Sequence, residues 1–251
     1  MTKLPEASDY FSPSDLKSID PNNLPKHIAI IPDGNRRWAK SRFLPAMQGH
    51  VAGAENSLKI VQAAQELGIK AVTLYSFSTE NWKRPTDEVE HLLKTIQDYL
   101  ERYAQKLVQH GIRLRVIGRR DGLGEILTGI LDKTCKMTQE CTNFELVLAI
   151  NYGGKDELVR AMQKISASGI APQDISQDTI SRYLDTNGLE DPDLIIRTSG
   201  EMRLSNFLLW QSSYSELYCS NTSWPDFTPQ NLLEAVKAYQ MRVRRIGGNV
   251  A

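Results

Sequence analysis

Six short apolar runs, alternating with segments of helical periodicity, constrain the fold of this chain more than any other feature of its sequence. The runs occupy residues 28–31, 71–77, 113–117, 144–150, 194–197 and 216–219. Several are almost continuously apolar, which is typical of strands covered on both faces. Helical spacing recurs at 53–67, 86–109, 124–139, 155–167, 176–186 and 228–245. The alternation predicts an α/β fold: a single domain with a central, mainly parallel sheet flanked by helices.

The first 26 residues differ from the rest, because Pro, Ser, Asp and Asn are frequent in them. We predict an irregular leader over 1–26 and one domain over 27–251. The leader lacks the apolar segment of a signal peptide and carries several acidic residues. No apolar stretch approaches the ~20 residues that span a bilayer. We therefore expect a cytoplasmic protein whose contact with a membrane is at most peripheral.

The charge balance argues against a nucleic-acid partner. The chain has 30 Lys and Arg residues and 30 Asp and Glu residues, whereas a nucleic-acid-binding domain usually has a basic excess. An anion site would therefore be a local cluster of arginines. The three cysteines, an odd number at wide spacing, suggest neither a disulfide framework nor a zinc site. Reduced thiols in a cytosolic protein are expected.

The most informative polar cluster directly follows the first apolar run. Asp33 offers a hard oxygen ligand for Mg²⁺, and Gly34 lets the backbone approach an anion closely. A helix that begins near Asn35 would turn free N–H groups toward phosphate oxygens. Arg36 and Arg37 follow, and guanidinium groups match phosphate oxygens in bidentate geometry. The cluster indicates a phosphorylated ligand held with a divalent cation, although a turn with a surface basic pair explains the spacing equally well.

Two further clusters follow other predicted strands. The loop within 76–85 carries hydroxyl, carboxylate, amide, indole and guanidinium groups. The segment 195–210 places two arginines and a hydroxyl around a Ser-Gly turn: Arg197, Arg203 and Ser205. In open α/β sheets, ligands bind outside the carboxyl ends of the strands. A lone surface arginine usually forms a weak salt bridge, but three strand ends with this chemistry favour one shared site. Glu216 is a candidate second metal ligand.

Several familiar phosphate motifs are absent from the sequence. It has no GxxxxGK[ST] loop, no GxGxxG fingerprint and no Asp-rich DDxxD motif of the trans-type prenyl synthases. Asp33 also lacks the second Asp, two positions away, that a phosphoaspartyl phosphatase loop needs. A lone His is more often structural than catalytic, but the nearness of His50 to the first cluster favours a role in binding a diphosphate.

Taken together, the clusters resemble one family: the cis-prenyltransferases, of the bacterial undecaprenyl diphosphate synthase type. The similarity covers nearly everything from residue 27 to residue 248. It rests on seven motifs in order: DGN-x-RWA at 33–39, GH at 49–50, TLYSFSTENWKRP at 73–85, NYGG at 151–154, RTSGE-x-RLSNFLLWQ-xx-Y-x-ELY at 197–218, WPDF at 224–227 and RRIGG at 244–248. So many motifs in this order are far more specific than any single one.

The resemblance implies a homodimeric enzyme whose parallel sheet encloses a hydrophobic tunnel. The implied reaction is sequential cis-condensation of isopentenyl diphosphate onto an allylic diphosphate such as farnesyl diphosphate. Diphosphate is released, Mg²⁺ is required, and the product is a long polyprenyl diphosphate such as undecaprenyl diphosphate. The usual use of such a product is as a lipid carrier for cell-wall glycans.

By the same resemblance, two residues are catalytic. Asp33 would bind Mg²⁺ and assist departure of the allylic diphosphate, and Asn81 would take part in removing a proton from the condensing unit. Glu216 would complete the Mg²⁺ shell, and Trp38 would flank the prenyl chain. The allylic diphosphate would be held by residues in and near the first cluster: Gly34, Asn35, Arg36, Arg37 and His50.

The resemblance takes the remaining substrate-binding residues from the other two clusters. The loop after the second run would line the active site and position the substrate: Ser78, Thr79, Glu80, Trp82 and Arg84. The third cluster would hold isopentenyl diphosphate: Arg197, Arg203, Leu204 and Ser205. The arginines within 242–245 lie where the family often reaches the partner subunit.

Three positions depart from the common pattern of the family. Pro32 stands where Met usually precedes the Asp, and it removes one backbone donor. Arg36 replaces a frequent Gly. Ala46 stands four residues before His50, where an Arg that binds the allylic diphosphate is often found. We hypothesise that Arg36 compensates for that missing contact.

Product length depends on residues whose orientation the sequence does not give. Ser76 is small and leaves room for a long chain if it faces the tunnel, and Leu146 and Leu148 could close the far end. The helical segment 86–109 carries an apolar stripe: Val89, Leu92, Leu93, Ile96, Tyr99, Leu100, Tyr103 and Leu107. Such a stripe usually faces a core, and it would equally suit one wall of a tunnel.

Two other functions compete with chain elongation. The first is a non-catalytic partner subunit of the same fold. Such subunits typically lack the Asp and several phosphate-binding residues, which are present here. The second is a different phosphate-handling enzyme on an unrelated α/β scaffold, which would explain the first cluster but not the other two.

Overall fold

Six parallel strands form one sheet in the computed structural model, which describes residues 8–243. In chain order they are β1 His27–Ile31, β2 Ala71–Ser78, β3 Ile112–Ile117, β4 Phe144–Tyr152, β5 Leu194–Arg197 and β6 Glu216–Cys219. Their order across the sheet is β3-β4-β2-β1-β5-β6, and every neighbouring pair is parallel. The predicted α/β fold with a parallel sheet is confirmed, and each predicted strand lies within two residues of its observed bounds.

Helices cover both faces of this sheet. Within the described part of the chain they are α1 Pro13–Lys17, α2 Asn35–Ser41, α3 Ala46–Glu66, α4 Thr86–Gln109, α5 Glu125–Met137, α6 Gly154–Ala167, α7 Gln177–Tyr183 and α8 Pro229–Gln240. Short 3₁₀ turns occur at Thr79–Lys83, Pro172–Asp174 and Trp224–Asp226. None of the helices in residues 8–243 is both long and apolar enough to cross a membrane.

Alternate side chains of β1 enter two separate apolar cores. Ile28 and Ile30 join the larger core, which includes buried residues of α3, α4, α5 and α8. Ala29 and Ile31 join a smaller one on the other face, which includes Phe207. This follows from the two-residue period of a strand. Because all five residues of β1 are buried and β1 pairs with both β2 and β5, the loop after β1 is held from both sides.

The segment before β1 is more ordered than its composition predicts. Ser12 and Asp15 form a capping box at the start of α1. Phe11, Leu16 and Ile19 are buried in the larger core. The prediction of an irregular leader is therefore corrected at Pro13–Lys17, where local capping and burial of apolar side chains stabilise a helix.

The longest difference between a predicted and an observed helix is at α3, which begins seven residues before the predicted start. Gly49 and Gly53 weaken the helical signal there. The structure explains both glycines, because a Cβ at Gly49 would lie 2.1 Å from the Asn35 carbonyl oxygen and one at Gly53 would lie 2.6 Å from Asn35 Oδ1. The two glycines thus let α3 pack directly against the start of α2.

A buried histidine joins β1 to its neighbours at the end of the sheet opposite the loop after β1. His27 is 2% exposed. Its Nδ1 donates to the Glu190 carbonyl at 2.7 Å, and its Nε2 lies 2.7 Å from the Thr73 hydroxyl. In the neutral ring Nε2 accepts from that hydroxyl. Burial lowers the pKa of His27, despite the opposing effects of the Glu190 carbonyl and nearby carboxylates.

We predict that His27 makes the protein less stable as the pH falls below about 6.5, the ordinary pKa of the unfolded residue. The unfolded chain then binds a proton that the folded chain excludes, which costs up to about 1.4 kcal/mol per pH unit. Urea unfolding at pH 5 to 8 would measure this slope. His27→Gln should flatten it, whereas the exposed control His91→Gln should not. An unchanged slope in His27→Gln would contradict the prediction.

Candidate active site

The three polar clusters leave the sheet at one edge, at the carboxyl ends of β1, β2 and β5. Gly34 adopts a φ of 98° and precedes α2. A Cβ at this position would lie 2.6 Å from Ser199 Oγ, so glycine is required both by the backbone conformation and by the close approach of the third cluster. The sequence prediction that the clusters share one site is supported by this arrangement.

Asp33 lies at the centre of the site. Its Oδ2 accepts from Arg197 Nη2 at 2.9 Å. Its Oδ1 accepts from the Gly34 amide at 2.6 Å and from Arg37 Nη2 at 3.3 Å. Burial raises the pKa of Asp33, but the hydrogen bond and charge of Arg197, the Gly34 amide and Arg37 outweigh it and hold the pKa below its usual value. The carboxylate is therefore ionised at neutral pH.

Arg197 connects Asp33 to the third cluster. It is the last residue of β5 and is 4% exposed. Its Nη1 donates to Ser205 Oγ at 2.6 Å and to the carbonyl oxygen of Arg203. Its Nε is buried without a hydrogen-bond partner. Since buried polar groups are normally paired, this N–H is a candidate donor to a ligand.

Glu201 holds two other arginines together. Its carboxylate pairs with Arg37 Nη1 at 3.2 Å and also with Arg203. Arg37 comes from the first cluster and Arg203 from the third. Glu201 thus joins the guanidinium groups of two segments that lie far apart in sequence, and the sequence analysis did not identify it. The signals available were its place in the motif at 197–218 and its position two residues before Arg203.

Glu88 organises a second group of basic side chains, and it too escaped the sequence analysis. Its Oε1 pairs with Arg84 Nη1 at 2.9 Å and lies 3.7 Å from His50 Nε2, while its Oε2 lies 3.5 Å from Arg36 Nη1. The spacing of Arg84 and Glu88, four residues apart, was the available signal. Burial and the charge of Arg84 lower the pKa of His50. Arg36 and His50 therefore both lie close to the Glu88 carboxylate.

The loop after β2 forms one wall of the site. Ser78 caps the turn Thr79–Lys83, and its amide donates to Asn81 Oδ1 at 3.0 Å. Glu80 Oε1 accepts from Asn206 Nδ2 at 2.8 Å. Burial raises the pKa of Glu80, but this hydrogen bond and nearby donors outweigh it, and the pKa lies below its usual value. The loop therefore presents an ionised carboxylate and an oriented amide.

A cavity of about 760 Å³ runs from these polar groups into the apolar space between α3, α4 and the sheet. Its mouth includes most of the predicted site residues: Asp33, Asn35, His50, Ser78, Glu80, Asn81, Arg84, Arg197, Arg203 and Ser205. Its deeper walls come from α3, α4, β2 and β4: Leu58, Val61, Leu74, Ser76, Leu92, Ile96, Tyr99, Leu100, Tyr103, Leu107, Leu146 and Leu148. Ser76, Leu146 and Leu148 do face this space.

Several predicted site residues do not line the cavity. Trp38 donates to Asp226 at 2.7 Å and lies under the Arg42 guanidinium, so the structure places it beside the site. Trp82 donates to Asn151 at 2.8 Å and packs edge-on against Phe77. The others outside the cavity wall are Gly34, Arg36, Arg37, Thr79 and Leu204. Of these, Leu204 packs against the smaller core.

Glu216 is not brought together with Asp33 within one chain. It is the first residue of β6 and pairs in register with Leu194, whereas Arg197 pairs with Cys219. Three residues, or about 10 Å of strand, therefore separate Glu216 from the level of Arg197. Its carboxylate pairs instead with Arg242 at 2.6 Å. Of the arginines predicted to reach a partner, Arg244 and Arg245 lie outside the described residues.

Comparison with known proteins decides the family. The family model described as "Putative undecaprenyl diphosphate synthase" matches residues 31–247. The chain belongs to this prenyltransferase family. The prenyltransferase is 47% identical to the isoprenyl transferase of Shouchella clausii over 92% of its own length and 91% of the relative's. It is 44% identical to that of Listeria innocua over 90% and 91% of the two chains.

Solved structures agree with this assignment. A probable undecaprenyl diphosphate synthase from Campylobacter jejuni superposes with a TM-score of 0.77 and 31% identity, covering 90% of the prenyltransferase and all of that chain. Lavandulyl diphosphate synthase from Lavandula x intermedia, in complex with dimethylallyl diphosphate, superposes with a TM-score of 0.88 and 36% identity, with the same coverage. The resemblance to cis-prenyltransferases is confirmed.

We predict that Arg36→Ala weakens binding of inorganic pyrophosphate about tenfold, because one charge-assisted hydrogen bond to an anion contributes about 1.5 kcal/mol. Calorimetric titration of the purified protein would measure the Kd. Arg42→Ala is the matched control, since Arg42 is also exposed but pairs with Asp226 outside the cavity. Equal affinity in Arg36→Ala and the parent protein would show that Arg36 does not replace the missing contact at Ala46.

Proposed function

We propose that this prenyltransferase condenses isopentenyl diphosphate, in repeated cis additions, onto an allylic diphosphate, with farnesyl diphosphate as the favoured starter. The product would be a long polyprenyl diphosphate such as undecaprenyl diphosphate. The observation that carries the proposal is the position of Asp33, which is bonded to arginines from two clusters at the mouth of a largely apolar cavity.

The reaction needs two diphosphate sites, and the arginines supply candidates for both. Arg36, Arg84 and His50 lie around the Glu88 carboxylate. Arg197 donates to Ser205 and to the Arg203 carbonyl, and these three residues form a second group. We assign the first group to the allylic diphosphate and the second to isopentenyl diphosphate. Guanidinium groups held in place before substrate arrives stabilise the charge of a departing diphosphate without reorganisation.

The residues at the mouth fit a Mg²⁺ ion that arrives with a diphosphate. Within residues 8–243 no group of three or more His, Cys, Asp or Glu side chains forms a metal cage. Mg²⁺ is commonly held by one or two carboxylates together with substrate phosphates, and the Asp33 carboxylate is ionised and 29% exposed. The bound ion would neutralise charge on the leaving group.

The chain's own residues account for the other requirements of the reaction. The allylic C–O bond breaks as diphosphate leaves, a new C–C bond forms to the isopentenyl unit, and that unit loses a proton to a diphosphate oxygen. Arg37 and Arg197 keep Asp33 ionised and oriented toward the leaving group. Asn81 lines the cavity with its Oδ1 engaged by the Ser78 amide, which leaves Nδ2 to orient the unit that loses the proton. The apolar walls exclude water from the allylic cation.

The position of Glu216 supports a homodimer in this proposal. Within one chain Glu216 lies about 10 Å of strand below the level of Arg197, so a role for Glu216 as second metal ligand at Asp33 would require a second copy of the chain. We further propose a cytoplasmic enzyme that contacts the membrane peripherally when it releases its product, which would serve as a lipid carrier for cell-wall glycans.

A non-catalytic partner subunit is the less favoured function. Such a subunit would not need Asp33, Asn81, Arg197 and Ser205 together at one cavity, as they are here. A different phosphate-handling enzyme is disfavoured because a nucleotide would leave the long apolar part of the cavity unused.

We predict that the purified protein, given farnesyl diphosphate, labelled isopentenyl diphosphate and Mg²⁺, forms a ladder of extended products that ends at one long chain. Asp33→Ala should lower kcat by about a hundredfold to a thousandfold, as expected for loss of one preorganised charged group at a leaving group. The exposed Asp98→Ala on α4 is the matched control and should behave as the parent protein. Chromatographic sizing of the products measures both length and rate.

Failure to extend farnesyl, geranyl or geranylgeranyl diphosphate would contradict the proposal and favour a non-catalytic subunit. Omission of Mg²⁺, with chelator present, should abolish extension. Full activity without Mg²⁺ would contradict the proposed role of the metal but would not contradict the proposed condensation.

A further inference from the structure

One hydrogen bond joins the chain neighbours of two residues that the proposed reaction uses. Asn206 directly follows Ser205 in the third cluster, and Glu80 directly precedes Asn81 in the loop after β2. Asn206 Nδ2 donates to Glu80 Oε1 at 2.8 Å. All four residues line the cavity. The bond therefore connects Ser205 to Asn81 with one peptide link on either side of it.

The first turn of α6 holds Asn206 in place. Its Oδ1 accepts from the Lys155 amide at 2.9 Å, and its backbone carbonyl accepts from the Gly154 amide at 2.7 Å. The first N–H groups of a helix have no partner within the helix, and Gly153, the N-cap of α6, has no side chain to accept them. A Cβ at Gly153 would lie 2.7 Å from Asn206 Nδ2. Asn206 thus caps α6 from a distant segment, and α6 fixes the direction of its amide.

An amide side chain suits both partners of Asn206. The Lys155 amide can only donate, whereas the ionised Glu80 carboxylate can only accept. The side chain between them must offer one acceptor and one donor. The backbone of Asn206 is left-handed, with a φ of 64°, and Asn is enriched in this conformation among residues other than Gly. Asn therefore satisfies the hydrogen bonds and the backbone together.

We propose that Asn206 is a positioning residue for the condensation: by holding Glu80, it aligns Asn81 with the isopentenyl unit that the third cluster binds. This inference rests on the proposed function, which assigns the third cluster to isopentenyl diphosphate and Asn81 to the unit that loses a proton. It adds the residue that couples the two loops.

The bond between Asn206 and Glu80 contributes position more than stability. Glu80 is exposed and Asn206 is half-buried, so water competes for both groups and the net contribution of the bond to folding is small. Catalysis depends more steeply on geometry, because a misplacement of about 1 Å can cost about a hundredfold in rate. Loss of the bond should therefore lower activity without unfolding the protein.

The first test removes the donor of Asn206. Asn206→Asp keeps the shape and one acceptor of the side chain but places a second carboxylate beside Glu80. We expect kcat to fall about tenfold, the effect of a small misplacement at a reacting group. The variant should melt close to the parent temperature, because it still accepts from α6 and a negative charge is favourable at a helix N-terminus. Asn187→Asp, at an exposed residue between α7 and β5, is the matched control and should behave as the parent protein.

A pair of double variants separates the hydrogen bond from the charge. Glu80→Gln with Asn206→Asp restores the bond in the reverse direction, because the introduced amide donates to the introduced carboxylate. Glu80→Met with Asn206→Asp has the same net charge and a side chain of similar length, but no donor. The first double variant should have about tenfold higher kcat than the second. The KM for isopentenyl diphosphate should be similar in both, since their charges agree.

Initial rates of incorporation of labelled isopentenyl diphosphate give kcat and KM, and thermal melting with the pyrophosphate Kd shows whether each variant is folded. If Asn206→Asp does not fold, Glu80→Gln and Glu80→Met as single variants decide, since the introduced amide still accepts from Asn206 and the thioether does not. Asn206→Asp with the parent kcat, or equal kcat in the pair that is compared, would overturn the inference. A parent protein that extends no starter would instead contradict the proposed function.

Discussion

The ion pair between Asp33 and Arg197 is the interaction on which the site depends. It joins the loop after β1 to the last residue of β5 at 2.9 Å, and Arg197 is almost fully buried. Removing either partner would leave a charge without compensation, which is strongly destabilising at a buried position. Through Ser205 and the carbonyl of Arg203, the same guanidinium also sets the course of the third loop. One pair thus fixes the relative position of the two loops to which we assign diphosphate binding.

Two carboxylates complete this arrangement by holding arginines that would otherwise repel each other. Glu201 pairs with Arg37 and Arg203, and Glu88 pairs with Arg36 and Arg84. Each carboxylate keeps guanidinium groups close together without a ligand, so the cost of assembling positive charge is met during folding. In the proposed reaction, an arriving diphosphate would meet donors that are already oriented. The apolar cavity behind them would exclude water.

The sequence was sufficient for the sheet, because runs such as 144–150 must be covered on both faces, and for the clusters that follow β1, β2 and β5. The sequence was insufficient where the role of a residue depends on contacts between segments that are distant in the chain. In the sequence, Glu88 and Glu201 do not differ from ordinary surface acids. Only the fold shows that each pairs with two arginines. The separation of Glu216 from Asp33 within one chain was visible in the sequence: Asp33 follows its apolar run, whereas Glu216 begins one, and parallel strands place those positions at opposite ends of the sheet. Gly49 and Gly53 weaken the helical signal at the start of α3, although they are needed there because a side chain at either position would collide with Asn35.

The order of the strands also has a consequence for folding. The central strand β1 pairs with β5, and Asp33 contacts Arg197 although the two residues are 164 positions apart in the sequence. Contacts between residues so far apart in the sequence form slowly. The chain loses conformational entropy in closing the loop before the contacts can stabilise it. During synthesis β1 is made early but lacks one of its two neighbouring strands until β5, Leu194–Arg197, has been made. We therefore expect one edge of this buried strand to stay unpaired throughout the synthesis of the intervening chain.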